Sequence, residues 1–160
     1  MGCMKIAAIQ MVSEPDVDQN LRTARRLMEQ AAAQGAGLVA LPEYFCLMGQ
    51  RDRDKLAVAE VAGQGPIQSM LQEAARSLGL WVVGGTMPVK DKSGAAERVR
   101  NTCWVFSPQG QVAARYDKIH LFAFDNGKER YDEGQVLERG SQPVAFQAAG
   151  LQVGLSVCYD

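Results

Sequence analysis

Three observations in the sequence predict an α/β fold. Continuous apolar runs of strand length alternate with segments whose apolar residues recur at helical spacing, the pattern of βαβ units. Gly and Pro sit at the changes between the two patterns. The second half carries short strand-like segments at close intervals, so antiparallel pairing increases there. The length of 160 residues suits one domain or part of one, with no linker, repeat or low-complexity tract.

The elements follow in order. Lys5 to Met11 (KIAAIQM) is too short for a helix and ends at Ser13-Glu14-Pro15, so it reads as a buried strand and a turn. From Asp16 to Gln34, Val17, Leu21, Ala24, Leu27, Met28, Ala31 and Ala32 form one apolar stripe, with Asp16 or Asp18 as N-cap and Gly35 as stop. Gly37 to Pro42 (GLVALP) is the next strand. Pro66 opens a second helix through Leu78, Gly79 closes it, and Leu80 to Thr86 is a third strand. A charged loop is expected from Lys90 to Arg100. Strands are then expected over Thr102 to Phe106, Gln111 to Tyr116, Val144 to Gln147 and Leu151 to Val157, the first two joined by a turn at Ser107-Pro108-Gln109-Gly110. Phe124 to Gln142 reads as an irregular, charged surface loop. The chain stops directly after a strong apolar strand with no covering helix, so residues 1–160 are expected to be the N-terminal part of a single domain, inactive by themselves.

Composition narrows the function. With 47% hydrophobic and 22% charged residues the chain is neither disordered nor fibrous. A formal net charge of -1 gives no overall footprint for nucleic acid or an anionic membrane, and no apolar run is long enough to span one. Cys3, Cys46, Cys103 and Cys158 lack metal-ligand spacing and no signal peptide precedes them, so no metal site and reduced thiols in the cytoplasm are expected. Met1-Gly2-Cys3 is read as unmodified, since Ile6 stands where a myristoylation signal has Ser or Thr.

Three polar residues stand just past predicted strands, where α/β sheets place ligands: Glu43 after GLVALP, Lys118 after QVAARYD and Cys158 after LQVGLSV. In the last strand Leu151, Val153, Leu155 and Val157 are expected on one face and Cys158 on the other, more polar one. A thiol near neutral pH needs a base, which Glu43 can be, and a cation such as Lys118 favours both thiolate and oxyanion. Singly, such residues are more often a solvated glutamate, a surface lysine and a small core thiol. Ser156 does not lie in a GxSxG elbow, and His120, the sole histidine, reads as loop support.

The strings LPE at Glu43, YDKIHLF at Lys118 and GLSVCYD at Cys158, in this order and strand context, resemble the three signatures of the nitrilase, or carbon-nitrogen hydrolase, superfamily. KIAAIQM with Asn20-Leu21, and Arg100-Asn101-Thr102, resemble further family features. The resemblance implies a four-layer αββα sandwich, here incomplete. It also implies a Glu-Lys-Cys triad: Glu43 as base, Cys158 as nucleophile, Lys118 with the backbone N–H of Tyr159 at the oxyanion, and no cofactor. A second active-site glutamate is expected at Glu129, with Glu133 as the alternative. HLF and CYD resemble the Nit-branch amidases more than true nitrilases, which tend to carry CWE. The implied substrate is therefore a small linear amide of the omega-amidase or deaminated-glutathione type, and the implied assembly a homodimer. An N-carbamoyl amide or a nitrile is the enzymatic alternative; a non-catalytic half-domain that binds a ligand or partner is the alternative of another class.

Overall fold

A computed structural model describes residues 4–91 and 97–160. Cys3, the Gly2 terminus and part of the charged 90–100 loop lie outside the described residues. In chain order the elements are β1 (Ile6–Ala8), α1 (Val17–Ala33), β2 (Leu38–Ala40), α2 (Asp54–Ala57), β3 (Glu60–Val61), α3 (Pro66–Leu78) and β4 (Trp81–Val83). There follow β5 (Met87–Lys90), β6 (Val99–Phe106), β7 (Val112–Asp117), β8 (Ala123–Asp125) and β9 (Arg130–Asp132). A 3-10 turn (Glu133–Gln135), β10 (Leu137–Glu138), β11 (Ala145–Ala148) and β12 (Leu151–Gly154) complete the chain.

One mixed sheet runs β1-β2-β4-β6-β5-β3, with β7 and β10 also on β6. β6 is the hub. Its first half lies between β5 and β10, and its second half between β4 and β7. β1, β2 and β4 are mutually parallel, whereas β4, β5 and β7 each pair antiparallel with β6. The chain directions therefore bring the C-terminal ends of β2, β4 and β7, and the start of β6, to one edge of the sheet.

Both faces of the sheet are covered at β2 and β4, which explains why these strands read as unbroken apolar runs. Val39, Val82, Trp104 and Phe106 pack with Leu21, Ala24 and Met28 of α1 and Ile67, Leu71, Ala74 and Ala75 of α3. Their alternates Leu38, Trp81, Val83 and Val105 meet Phe146 and Ala148 of the β11–β12 hairpin. The Trp81 and Phe146 rings lie 5.7 Å apart. The layers are thus helices, sheet and a second, two-stranded sheet, matching the αββα sandwich for as much of it as the chain spans.

The cap of α1 is Asp16, whose carboxylate accepts from Gln19 N at 2.9 Å. β1 is an edge strand with Ile6 57% exposed, not the buried strand expected, because it pairs only with β2. β3 and β5 were not anticipated: one is two residues long and the other contains Pro88, which demotes a strand signal. The expected 124–142 loop instead holds the β8–β9 hairpin, turning at Asn126-Gly127, and then the 3-10 turn. Among the described residues no helix is long and apolar enough to cross a membrane, and no cluster of three or more His, Cys, Asp or Glu could hold a metal.

Helix α3 begins with proline and has no side-chain cap of its own. Glu60 of β3 supplies one: its carboxylate accepts from Ile67 N at 2.6 Å, Gln68 N at 3.0 Å and Gln68 Nε2 at 3.0 Å, all buried. Glu60→Ala leaves the backbone N–H groups of Ile67 and Gln68 unpaired, while Gln68 Nε2 keeps Val61 O and Gln64 O, and is expected to cost about 2–3 kcal/mol in chemical denaturation. Glu73→Ala, at an exposed pair, should stay within about 0.5 kcal/mol. Equal losses in the two variants would show that Glu60 is no cap.

Candidate active site

Glu43 sits in the turn after β2. Phe45 and Cys46, both fully buried, anchor that turn in the core, and two side chains tie down its backbone. Asn20 Nδ2 of α1 donates to Cys46 O at 2.9 Å and Ser13 Oγ donates to Phe45 O at 3.1 Å. Tyr44 N donates to Thr86 Oγ1 at 2.9 Å, joining the turn to the segment after β4. The approach is close there: at Gly85, with φ +54, a Cβ would lie 2.1 Å from Pro42 O. Tyr44 itself has φ +51, a strained value for an aromatic residue.

Lys118 follows β7 directly and is completely buried. Its backbone is held from both sides, since Lys118 N donates to Asn101 O at 3.0 Å and Gly140 N donates to Lys118 O at 2.9 Å. Nζ lies 3.1 Å from Glu43 Oε1 and 3.0 and 3.2 Å from Glu133 Oε2 and Oε1. Burial pulls the lysine pKa down, but the two carboxylates outweigh it and the net direction is up. Lys118 is therefore an ammonium, and one ammonium faces two carboxylates.

The second carboxylate at Lys118 comes from Glu133. Asp132 caps the 3-10 turn through Gly134 N at 2.9 Å, and Glu133 accepts from Phe122 N at 2.8 Å while its own N–H donates to Phe122 O. Glu129, the residue expected in this role, stands exposed in the β8–β9 turn with its N–H on Asn126 Oδ1. The hairpin carries it to the far end of the loop and returns the chain with Glu133 at the lysine.

Cys158 lies in a turn beyond β12, not on the strand, and has φ +52. The expected alternation holds for Val153, Leu155 and Val157, which pack inward, but Leu151 is 51% exposed. Cys158 and Glu43 line one cleft of about 210 Å³ with Leu41, Val83, Thr86 and Ser156. The Cys158 thiol is pushed up, first by desolvation and then by the charge of Glu43 and a hydrogen bond with it; Lys118 opposes the shift. Cys46 and Cys103 are buried and unpaired, their thiols pushed up to about 12 by desolvation.

Two further residues hold this arrangement, and neither was singled out for a role in the sequence. Asn101 Nδ2 donates to Glu43 Oε1 at 2.8 Å. Asp160, whose side chain is only 7% exposed, clamps the cysteine turn to the lysine segment. It accepts from Val157 N at 2.9 Å and Tyr116 Oη at 2.6 Å on one oxygen, and from His120 N at 2.9 Å on the other, with His120 Nδ1 3.1 Å from that second oxygen. Desolvation raises the Asp160 pKa, yet these donors prevail and hold it below the usual carboxylate value. His120 thus supports the loop, as the sequence suggested. Beside the site, Phe122 packs between the rings of Tyr131 and Tyr159, at 5.8 and 5.5 Å.

A thiol, a carboxylate and a buried ammonium thus lie together beyond the ends of β12, β2 and β7 in a layered α/β fold. Residues 5–160 match the carbon-nitrogen hydrolase family, and the chain belongs to it. It is 33% identical, over its whole length, to the omega-amidase NIT2-A of Xenopus laevis, of which it covers 56%. Over 96% of its length it is 33% identical to a deaminated glutathione amidase of Synechocystis sp., covering 57% of that protein. Among solved structures it resembles an amidase from Nesterenkonia sp. with a TM-score of 0.76 and 28% identity, over 98% of this chain and 56% of that one. A variant of the Nesterenkonia amidase carries acrylamide added at its active site cysteine. The chain spans just over half the length of these relatives.

The charges around Cys158 set a pH dependence. Alkylation of Cys158 by iodoacetamide should rise with a midpoint above that of an ordinary thiol, because burial and Glu43 disfavour the thiolate. Glu43→Gln removes the charge and should move the midpoint to lower pH, while Cys46 and Cys103 stay unmodified. Peptide mass spectrometry over pH 6 to 10 reads all three; a midpoint indifferent to Glu43→Gln would dissociate the two groups.

Proposed function

We propose that the protein hydrolyses the carbon–nitrogen bond of a small linear amide through a thioester on Cys158. The observation that carries this reading is the cluster of buried Lys118 and Glu133 with half-buried Glu43 beside the only exposed thiol among the described residues. In the resting state the thiol keeps its proton, so Glu43 removes it as sulfur attacks the carbonyl carbon. The carbonyl oxygen becomes the oxyanion, stabilised by Lys118 and by the Tyr159 backbone N–H. Glu43 passes its proton to the departing nitrogen, the carbon–nitrogen bond breaks, and ammonia or an amine leaves a thioester. Water, deprotonated by Glu43, attacks the thioester; the carboxylic acid leaves and the thiol is restored. Glu133 keeps Lys118 charged and aimed throughout. No step requires a cofactor.

The cleft of about 210 Å³ suits a short acyl chain. With the relatives above, this favours an omega-amidase-like or deaminated-glutathione-amidase-like substrate, a small 2-oxo-acid amide, over an N-carbamoyl amide or a nitrile. We also propose that the whole protein is a homodimer, as the resemblance of its sequence motifs implies, and that it is cytoplasmic, as its isolated cysteines suggest.

In the full-length protein, Cys158→Ala should abolish hydrolysis of a 2-oxo-acid amide while the thermal melt persists. Glu43→Gln should lower kcat/KM by about 100-fold or more. A slow amide substrate should leave an acyl adduct on Cys158 alone, seen by mass spectrometry. An adduct on another cysteine, undiminished turnover in Cys158→Ala, or reversible loss of activity with EDTA would overturn the reading.

A further inference from the structure

The two oxygens of Glu43 have different surroundings. Oε1 accepts from Asn101 Nδ2 at 2.8 Å and from Lys118 Nζ at 3.1 Å, the two hydrogen bonds that fill the lone pairs of a carboxylate oxygen. Asn101 is fully buried on β6, its backbone carbonyl accepts Lys118 N at 3.0 Å, and it stands in register with Pro88 of β5. One residue therefore touches both the carboxylate and the lysine segment. Its amide can face Glu43 only through Nδ2, because Oδ1 there would set oxygen against a carboxylate. Oδ1 is left buried without a hydrogen-bond partner. An orphaned acceptor is unfavourable, so an asparagine here serves something other than stability.

We propose that Asn101 is a positioning residue that commits Oε1 of Glu43 and so makes Oε2 the oxygen that takes the Cys158 proton. The inference rests on Glu43 being the base of the proposed reaction. Lys118 alone would hold Oε1 from one side, and the carboxylate would be free to turn about its terminal bond. With Asn101 on the other side, the carboxylate plane is fixed and Oε2 keeps one direction toward the thiol.

The test uses the full-length protein and a 2-oxo-acid amide. Asn101→Leu, close in size, removes the donor and the orphaned acceptor together. It should leave the melting temperature within a few degrees, KM within about threefold, and kcat lower by about tenfold or more, the worth of one hydrogen bond to a charged group. In the Glu43→Gln background the same substitution should cause no further loss, since its effect passes through the carboxylate. If the leucine variant does not fold, Asn101→Asp keeps the side-chain shape and, by placing oxygen against Oε1, should depress kcat at least as far. Unchanged kcat in a folded variant, or an equal fractional loss with and without Glu43, overturns the role of Asn101. Those results leave the proposed reaction standing so long as Cys158→Ala is inactive; an active Cys158→Ala overturns the reaction itself.

Discussion

A fully buried ammonium is the constraint around which this site is built. Lys118 has no solvent to balance its charge, and an unpaired charge in such a place is far more costly than any single packing contact. Two carboxylates supply the balance, and they come from opposite sides in sequence: Glu43 from the turn after β2 and Glu133 from the 3-10 turn after β9. If either moves, the buried ammonium loses one of its two partners. The same pairing that keeps Lys118 charged thus fixes the register between the parallel part of the sheet and the hairpin that lies beyond β7.

Around this pair the backbone is held by fixed donors more than by regular structure. Asn20, Thr86, Asn101 and Asp160 each join two segments distant in the chain, and three of them are nearly or fully buried. Among the described residues, two of the three non-glycine residues with positive φ, Tyr44 and Cys158, sit beside or at the proposed base and nucleophile. Conformations of this kind cost about 1–3 kcal/mol each and persist only where neighbours over-determine them. The Asp160 clamp is such an over-determination for Cys158: it ties Val157 to Tyr116 and His120, one residue before the cysteine and two residues to either side of the lysine.

The sequence made the βαβ half readable because β2 and β4 are covered on both faces and the helices on one, so periodicity and end signals agree. It hid the rest for definite reasons. β5 contains Pro88, β3 is too short to show a period, and β6 begins earlier than its apolar run because Arg100 pairs with Asp91, Asp117 and Glu138 and Asn101 faces Glu43. Glu43, Lys118 and Cys158 were singled out through the strings around them; the structure brings Glu43 and Lys118 into contact and puts Cys158 in a turn beyond β12. The choice between Glu129 and Glu133 was not legible, since it depends on where the β8–β9 hairpin turns. Asn126-Gly127 marked that turn, and reading it as a hairpin would have sent Glu129 to the tip and Glu133 back toward the sheet. Asn101 was visible only as part of a resembling string, because a hydrogen bond between β6 and the turn after β2 leaves no spacing in the sequence.

The charge balance of the cluster then bears on how its thiol behaves. Two carboxylates and one ammonium leave a net negative charge beside Cys158, and a thiolate would add a second. Desolvation at the cleft acts in the same direction, and the ammonium only partly offsets both. A cysteine in this setting rests as a thiol, in contrast to one paired with a cationic histidine or set at a helix N-terminus, where the thiolate is stable beforehand. In the proposed reaction deprotonation therefore accompanies attack, and Glu43, as the proposed base, keeps the proton close enough to return it. An oriented Glu43 is what such a sequence requires of the protein, and the neighbours of Glu43 are arranged to hold its carboxylate still rather than to change the resting charge of the sulfur.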